Sequence, residues 1–532
     1  MSMKSVWLII GILGLSFESF GQIVYQDLQK TSVYDFLDEL ANSQVIELNT
    51  FSKPYSRELI ALKLQEAQAE LSQLNQRQLK ELTFFLKDFN KELEEGENFD
   101  KRYDLFYHKD SVFTFSLNPI LGARYWTNEN GNNWHRWHGG ELFGYIQDNF
   151  GVYFSLRDNI EKTLTQNEQF LNQQPGVNYK GSGEYSEVKG GLTYSWKWGS
   201  LGLLRDNFTW GNHTFGANIF SGKAPPFARL SFRMHPVKWL DFEYFHAWLA
   251  SEVRDSIRSY AAGARQRVVF VNKFIASNRV SITPLKRLTF TLGNSIVYSD
   301  NLQPVFFIPV LFFKSVDHSI YSSGGNYGGA NTQMFFDISS RNIKKVHLYT
   351  SLYIDEISVV RLLKPDEHSN FISWKIGATV SNILDKNVGF NVEYTRTNPI
   401  TYRHFVNATT FESNRYNMGH YLRDNAQELA FKLSYRPIAR LNLSATYSMA
   451  QKGEEYEYLG TGTEVWGLKF IEDLKWQNQA FNLHTSYELI NDLYLSLDYQ
   501  YQNITGEDKA LYTQDLFLNK TNTIFVGLAA GF

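Results

Sequence analysis

The stretch Leu493-Tyr494-Leu495-Ser496-Leu497-Asp498-Tyr499-Gln500-Tyr501-Gln502 decides the fold. Leu493, Leu495, Leu497, Tyr499 and Tyr501 form one series, and Tyr494, Ser496, Asp498, Gln500 and Gln502 the other. Successive side chains of an extended chain point to opposite faces, so these residues make a strand with one apolar and one polar side. Alternation over about ten residues is what a tilted strand needs to cross a membrane, with lipid on one side and an aqueous lumen on the other.

The same pattern recurs outward from this segment. Leu441, Leu443, Ala445, Tyr447 and Met449 alternate with Asn442, Ser444, Thr446 and Ser448. Leu192, Tyr194, Trp196 and Trp198 alternate with Thr193, Ser195, Lys197 and Gly199, and Val346, Leu348, Leu352 and Ile354 oppose His347, Tyr349, Ser351, Tyr353 and Asp355. The last segment sets Ile524, Val526, Leu528, Ala530 and Phe532 against Phe525, Gly527, Ala529 and Gly531, ending on an aromatic in phase with the apolar face. In hydrocarbon an open sheet edge leaves peptide groups unpaired, so a closed barrel is the β solution. Residues 101–532 therefore predict an all-β transmembrane fold, an antiparallel outer-membrane barrel of about 18 strands, the even count that bacterial barrels favour. The competing architecture is a large secreted sandwich or propeller, against which stand the aromatic strand ends Trp196, Trp198, Tyr499 and Tyr501.

Composition agrees. The 532 residues include 12 Trp, 31 Tyr and 41 Phe, 16% aromatic, in a chain of mean hydropathy −0.34. Rings in a mildly hydrophilic chain suit a membrane interface. With no cysteine, a disulfide scaffold, a thiolate metal site and a cysteine nucleophile are excluded. Balanced charge, 52 Lys+Arg against 55 Asp+Glu, suggests no nucleic-acid partner.

Residues 1–21 read as a bacterial export signal: Lys4, then the apolar stretch Trp7 to Phe17, then Ser19 and Gly21 before cleavage at Gln22. That stretch is shorter than the ~20 residues of a spanning helix. Residues 22–100 form a second region, helical from Val33 to about Leu93. Val33, Phe36, Leu37 and Leu40 mark one buried face. Ser56 caps a second helix bearing Leu59, Leu62 and Ala69, and Asn75 with Gln78 resembles a capping box for a third bearing Leu79, Leu82, Leu86, Phe89 and Leu93, with Gly96 ending it. A small bundle at the periplasmic end, dispensable for barrel insertion, is the expectation.

Long polar connections are expected near 159–184, 300–331, 397–425, 451–463 and 503–520, facing the cell exterior. The apolar, proline-interrupted Pro304–Phe313 and the glycine-rich 322–329 read as a packed loop, with an inward plug or constriction as the alternative.

The chain carries neither a Gly-x-Ser-x-Gly elbow nor a His-Glu-x-x-His helix. His135 and His138 in Trp134-His135-Arg136-Trp137-His138 are three apart, as metal ligands can be, but their aromatic and glycine neighbours favour a loop or interface segment. No cofactor is expected. Arg157-Asp158-Asn159, Arg205-Asp206-Asn207 and Arg423-Asp424-Asn425 repeat one word. Placed at strand ends, these residues form internal salt bridges that stiffen the barrel or hydrogen-bond a sugar. Arg157, Asp158, Arg205, Asp206, Arg423 and Asp424, with the loop rings Tyr321 and Tyr327, are the candidate glycan contacts.

Several stretches are similar to the Wzi-type capsule assembly family of outer-membrane proteins. They are Asp35-Phe36-Leu37-Asp38-Glu39-Leu40, Pro54-Tyr55-Ser56-Arg57, Arg136-Trp137-His138-Gly139-Gly140-Glu141-Leu142, Ser195-Trp196-Lys197-Trp198-Gly199 and Lys314-Ser315-Val316-Asp317-His318. Glu393-Tyr394-Thr395-Arg396-Thr397-Asn398-Pro399 and Gly419-His420-Tyr421-Leu422-Arg423-Asp424-Asn425 extend the resemblance over most of the chain. It is closest to the Bacteroidota branch, some of whose members are associated with gliding motility. The resemblance implies a non-enzymatic barrel in outer-membrane lipid, with periplasmic helices and extracellular loops, that holds surface polysaccharide as a lectin and works beside envelope assembly proteins. The alternatives are a component of gliding or secretion machinery, and a barrel hydrolase, against which the missing nucleophile motif argues.

Overall fold

The computed structural model describes residues 23–93, 99–178, 183–321, 329–357, 370–460, 465 and 467–531. The expected export signal, Tyr327 and Phe532 lie outside these residues.

Eighteen strands close an antiparallel barrel. They are β1 (Phe113–Asn128), β2 (Gly131–Ile146), β3 (Phe150–Glu161), β4 (Glu184–Trp196), β5 (Gly199–Asp206), β6 (Phe227–Val237), β7 (Leu240–Arg254), β8 (Phe270–Leu285), β9 (Leu288–Ser299), β10 (Asn331–Ser340), β11 (Val346–Glu356), β12 (Phe371–Ile383), β13 (Val388–Thr397), β14 (Ala426–Tyr435), β15 (Leu441–Gly453), β16 (Leu474–Ile490), β17 (Leu493–Thr505) and β18 (Lys520–Ala530). Closure runs from Ile524↔Thr127 to Ala530↔Leu121, between β18 and β1. Below that seam the short strand Phe106–Lys109 pairs with Thr114–Leu117 of β1.

The period-two reading holds strand by strand. Leu495, Leu497, Val526 and Leu528 are exposed on the outer wall, while Gln502, Thr521 and Thr523 are buried inside. Phe154, Leu192, Leu203, Leu292, Ile376 and Leu433 continue the apolar band around the circumference. This is the surface that an outer-membrane barrel presents to lipid. Among the described residues no helix is long and apolar enough to cross a membrane.

The strand order puts connections of very different length at the two ends. Turns 147–149, 197–198, 238–239, 286–287 and 491–492 are tight, whereas 162–183, 207–226, 255–269, 300–330, 398–425 and 454–473 are long. Residues 207–226 and 255–269 were not foreseen as long connections.

Helices α1 (Thr31–Asn42), α2 (Arg57–Gln68) and α3 (Gln76–Phe89) cover the tight-turn end. Ser56 Oγ accepts the Leu59 N–H at 3.1 Å, and Asn75 and Gln78 form the reciprocal capping box. The buried face of α2 is Arg57, Ile60, Ala61, Leu64 and Ala67 rather than Leu59, Leu62 and Ala69. The charged Arg57 leads that face because Asp88 and Glu92 receive its guanidinium, a pairing that hydrophobic periodicity cannot show. Ion pairs tie the bundle to the barrel. Lys30 Nζ lies 2.9 Å from both Glu141 and Asp492, Arg102 pairs with Asp492, and Arg436 lies 2.7 Å from Glu39.

Candidate functional site

The lumen divides into a packed half and an open half. Within the packed half, loop 207–226 turns back into the barrel. Its Phe208, Trp210, Ile219 and Phe220 join Phe245, Ile275, Val297, Phe335 and Tyr353 of the wall in one buried cluster. From the opposite end the segment before α2 rises to meet it. Phe51 enters the same cluster, Ser52 pairs with Trp210, and Lys53 with Thr209, as two short antiparallel strands. Loop 398–425 adds Tyr402, Phe411, Tyr416 and Met418. Rings lie close to the wall: a Cβ at Gly293 would sit 2.2 Å from the Phe335 ring, so glycine is required there.

Polar wall residues hold the backbone of this plug. Glu393 accepts the N–H groups of Thr214 at 2.7 Å and Phe215 at 3.2 Å, and is itself paired with buried Lys375. Asp337 accepts from the Asn212 backbone at 3.1 Å and side chain at 2.6 Å. Asn218 donates to Ser373 O at 3.2 Å and accepts from Ser351 Oγ at 2.6 Å. Buried peptide groups need such partners, so the wall is polar where it meets the plug's backbone and apolar where it meets the plug's rings.

The open half lies between β14–β18 and β1–β4. Its upper cavity, about 480 Å³, is walled by Ser444, Thr446, Asn478, Asn482, Gln500 and Gln502, roofed by Phe170, Tyr512 and Phe517. The lower cavity, about 440 Å³, runs down to α1 and α3 and is lined by Trp137, Tyr185, His484, Ser486 and Tyr494. Both touch Arg124 and Gln174. Arg124 lies at the waist, its Nη2 3.1 Å from Asp498 and its guanidinium 4.7 Å above the Phe525 ring. Asp498 also pairs with His484. On the facing wall His135 Nε2 is 3.0 Å from Asn159 Oδ1, and Tyr185 donates to Glu161 at 2.8 Å.

Amides and hydroxyls supply both donors and acceptors, and rings supply flat apolar faces. Such a lining suits a polyhydroxylated ligand, whose ring C–H face stacks while its hydroxyls bond sideways. Sequence reading had placed Ser444, Thr446, Asp498, Gln500 and Gln502 on the polar strand face, but did not select them as site residues. The facing walls that bring them together are remote in sequence, and only barrel closure joins them.

The eight nominated contacts scatter. Strand alternation sends Arg157 and Asp206 inward but Asp158 and Arg205 outward. Arg157 pairs with Glu187, and Asp206 with Arg229 at 2.5 Å. Asp158 accepts from Ser186 at 2.6 Å, and Arg205 donates to the Val188 carbonyl. Arg423 and Asp424 lie in a loop, not at a strand end: Arg423 sits 2.8 Å from Glu455, and Asp424 accepts the Tyr402 N–H at 2.7 Å. Burial pushes the Glu455 carboxyl up, yet Lys452, Arg423 and Arg403 together hold it at about 2. Burial raises the Asp424 carboxyl despite nearby Arg403. Tyr321 closes a helix outside the lumen.

Two further readings are decided by the structure. Of the loop or interface segment expected at Trp134–His138 the loop is overturned, since these residues belong to β2; His135 faces inward while His138 faces outward, so the two cannot share a metal. Among the described residues no group of three or more His, Cys, Asp or Glu side chains could hold a metal ion. The segment Pro304–Phe313 is the packed loop that its sequence favoured and not the alternative inward plug. It lies on the outer wall, with Phe306 and Phe313 packed against Phe242, Tyr244, Ile296 and Tyr298.

The family profile described as "Capsule assembly protein Wzi" matches residues 75–516. No curated protein sequence matches the chain. Among solved structures, the Escherichia coli outer-membrane protein Wzi, described as a carbohydrate-binding β-barrel involved in group 1 capsule assembly, superposes with a TM-score of 0.58 at 13% identity, over 96% of this chain and 99% of that one. Pseudomonas aeruginosa OccD3 (OpdP) gives 0.42 at 12% identity, over 78% and 90% of the two chains. The outer-membrane protein OprD of the same organism gives 0.42 at 11%, over 78% and 93%.

Proposed function

The chain belongs to the Wzi capsule assembly family, and from that premise we propose that it is a non-enzymatic outer-membrane lectin that holds surface polysaccharide at the cell exterior. The observation that carries this reading is the open half of the lumen, where facing strands present amides, hydroxyls and rings beneath the long loops. The long loops face outward and the helical bundle, residues 22–100, faces the periplasm, where it offers a surface to envelope assembly proteins. Asn478, Asn482, Gln500 and Gln502 take sugar hydroxyls, Arg124 takes a hydroxyl or a sugar carboxylate, and Phe170 and Tyr512 of the loops offer stacking faces from above. Of the residues expected to contact glycan, Arg157 lines the lower cavity and remains a contact, whereas Asp158, Arg205, Asp206, Arg423 and Asp424 brace the walls and loops that frame the site. Weak contacts suffice, because many barrels holding one long polymer raise avidity about 10²–10⁴-fold.

The purified protein should bind the polysaccharide of its own cell surface in a titration, and deleting the gene should release that polymer into the medium while total synthesis stays near normal. Cell-associated polysaccharide that is unchanged by the deletion, alongside lost surface motility, refutes the lectin reading and favours a motility component.

A further inference from the structure

The outer wall carries a second device. We propose that residues 304–313 form a re-entrant segment embedded in the membrane, lying on the outside of the barrel with its outward side chains against lipid acyl chains. The argument starts from an anomaly on the wall. Outward positions of a membrane strand should be apolar, yet Asn278 stands midway along β8 and Asn294 midway along β9, both facing out. An amide facing hydrocarbon without partners costs several kcal/mol.

The segment removes that cost. Asn278 Nδ2 donates to the carbonyls of Pro309 and Leu311, each at 2.8 Å. Asn294 Oδ1 accepts the Phe313 N–H at 2.8 Å, and the two asparagines bond each other at 2.6 Å. Higher up, Tyr244 donates to the Phe306 carbonyl at 2.7 Å, and the His246 ring stacks on Phe307 with centroids 4.2 Å apart. The two asparagines, Tyr244 and the segment's backbone thus satisfy one another, the condition under which irregular backbone persists at membrane depth.

Across residues 304–313, what the segment turns outward is apolar. Ile308, Val310 and Phe312 are exposed, Val310 to 71%, and they alternate with inward residues. Directly below, where the segment stops, Phe290 and Leu292 of the bare wall are exposed in the same way. The apolar band therefore continues from strand onto segment without a break, and that continuity names lipid as the occupant. Leu302, also exposed, extends the face at one end, and the exposed polar Ser315, His318 and Ser319 mark where it stops at the other. A water-facing loop of this composition would instead present a large apolar patch to solvent.

The absence of native cysteine makes the test direct. Val310→Cys, Phe312→Cys, Leu292→Cys and Ile257→Cys are introduced singly into the full chain, and outer membranes carrying each are treated with a polar maleimide, then with a nitroxide for collision measurements. Ile257, 98% exposed in loop 255–269, is the aqueous reference and Leu292 the lipid reference. The expected result is that Val310→Cys and Phe312→Cys resist the maleimide under conditions that label Ile257→Cys fully. Their nitroxides should collide with oxygen as readily as that at Leu292→Cys and hardly with a nickel chelate. Labelling of Val310→Cys at the rate of Ile257→Cys, with Leu292→Cys protected, overturns the proposal alone. Labelling of Leu292→Cys as well overturns the placement of the barrel in the membrane. Protection from both oxygen and nickel shows a protein cover, such as a second copy of this chain, and also overturns the proposal.

Discussion

The two halves of the lumen are built from the same kind of strand yet behave as different materials. Both alternate, and both turn polar groups inward. In the packed half those groups are consumed: Glu393, Asp337, Ser351 and Ser373 are bonded to the inserted loop, and aromatic rings fill what remains. In the open half Asn482, Gln500 and Ser444 look across a cavity, and the floor is held by ions rather than rings. The difference teaches that an inward polar residue is not by itself a binding residue. What matters is whether another part of the chain has already claimed it.

The comparison breaks first, if it breaks, at Trp210. This side chain is fully buried among Phe208, Phe220, Phe245 and Phe335. Trp210→Ala should cost roughly 3–5 kcal/mol. It should lower the temperature at which the protein loses its heat-modifiable gel mobility. A change below ~1 kcal/mol would mean that the packed half is not a core.

Acid should act on the other half. In the turn after β16, burial pushes the Asp492 carboxyl up, but Lys30 and Arg102 outweigh it and hold it below the ordinary range. Asp88 in α3 is held well below that range, its burial outweighed by Arg57, Arg102 and Lys91. A carboxyl lowered on folding contributes stability above its unfolded value, near 4, and that contribution vanishes as pH falls through the folded value. Below about pH 4 the helices should therefore loosen from the open half while the ring-packed plug stays protected. Amide exchange along residues 31–42 and 76–89, compared with 208–220, measures this. Simultaneous release of both would remove the distinction.

Much of this architecture was legible and some was not, for physical reasons. Barrel, strand count and caps follow from short-range rules: alternation fixed the faces of β15 and β17, and Ser56 and Asn75 announced α2 and α3. The plug was invisible because Phe208, Trp210 and Phe220 read locally as a loop, and only the apolar wall opposite explains them. Pro304–Phe313 was noticed for its composition, but composition cannot tell the inside of a barrel from its outside. The repeated Arg-Asp-Asn word is legible as a source of internal salt bridges but not as one site, because adjacent residues in a strand point apart. Arg157 and Asp158 cannot act together, whereas Arg124 and Asp498, remote in sequence, meet across closed strands.

The same truncation made in each half sharpens the contrast. Asn218 is completely buried with both ends of its amide bonded, so Asn218→Ala should cost about 1–3 kcal/mol by stranding Ser351 and Ser373. Asn482 is half-exposed to the cavity, so Asn482→Ala should leave stability within about 0.5 kcal/mol. Equal losses in thermal unfolding would show that the open half is as tightly committed as the packed one.

A small effect on stability, and the most informative on binding, belongs to Arg124. Its partner Asp498 lies 3.1 Å away, but the arginine side chain keeps 38% of its surface exposed, so solvent screens the pair. Exposed ion pairs contribute under about 1 kcal/mol, and Arg124→Ala should hardly move the unfolding temperature. Binding is another matter. A guanidinium at the waist, fixed over the Phe525 ring, is positioned to donate to a polymer entering from the upper cavity. Hydrogen bonds from charged donors are worth ~1.5–3 kcal/mol, which corresponds to a loss of ~10- to 100-fold in affinity for the purified barrel. Lysine at this position keeps the charge but not the planar fork, and should restore only part of that affinity. If Arg124→Ala binds polysaccharide as tightly as the parent protein, ligand does not reach the waist, and recognition is confined to the loops above it.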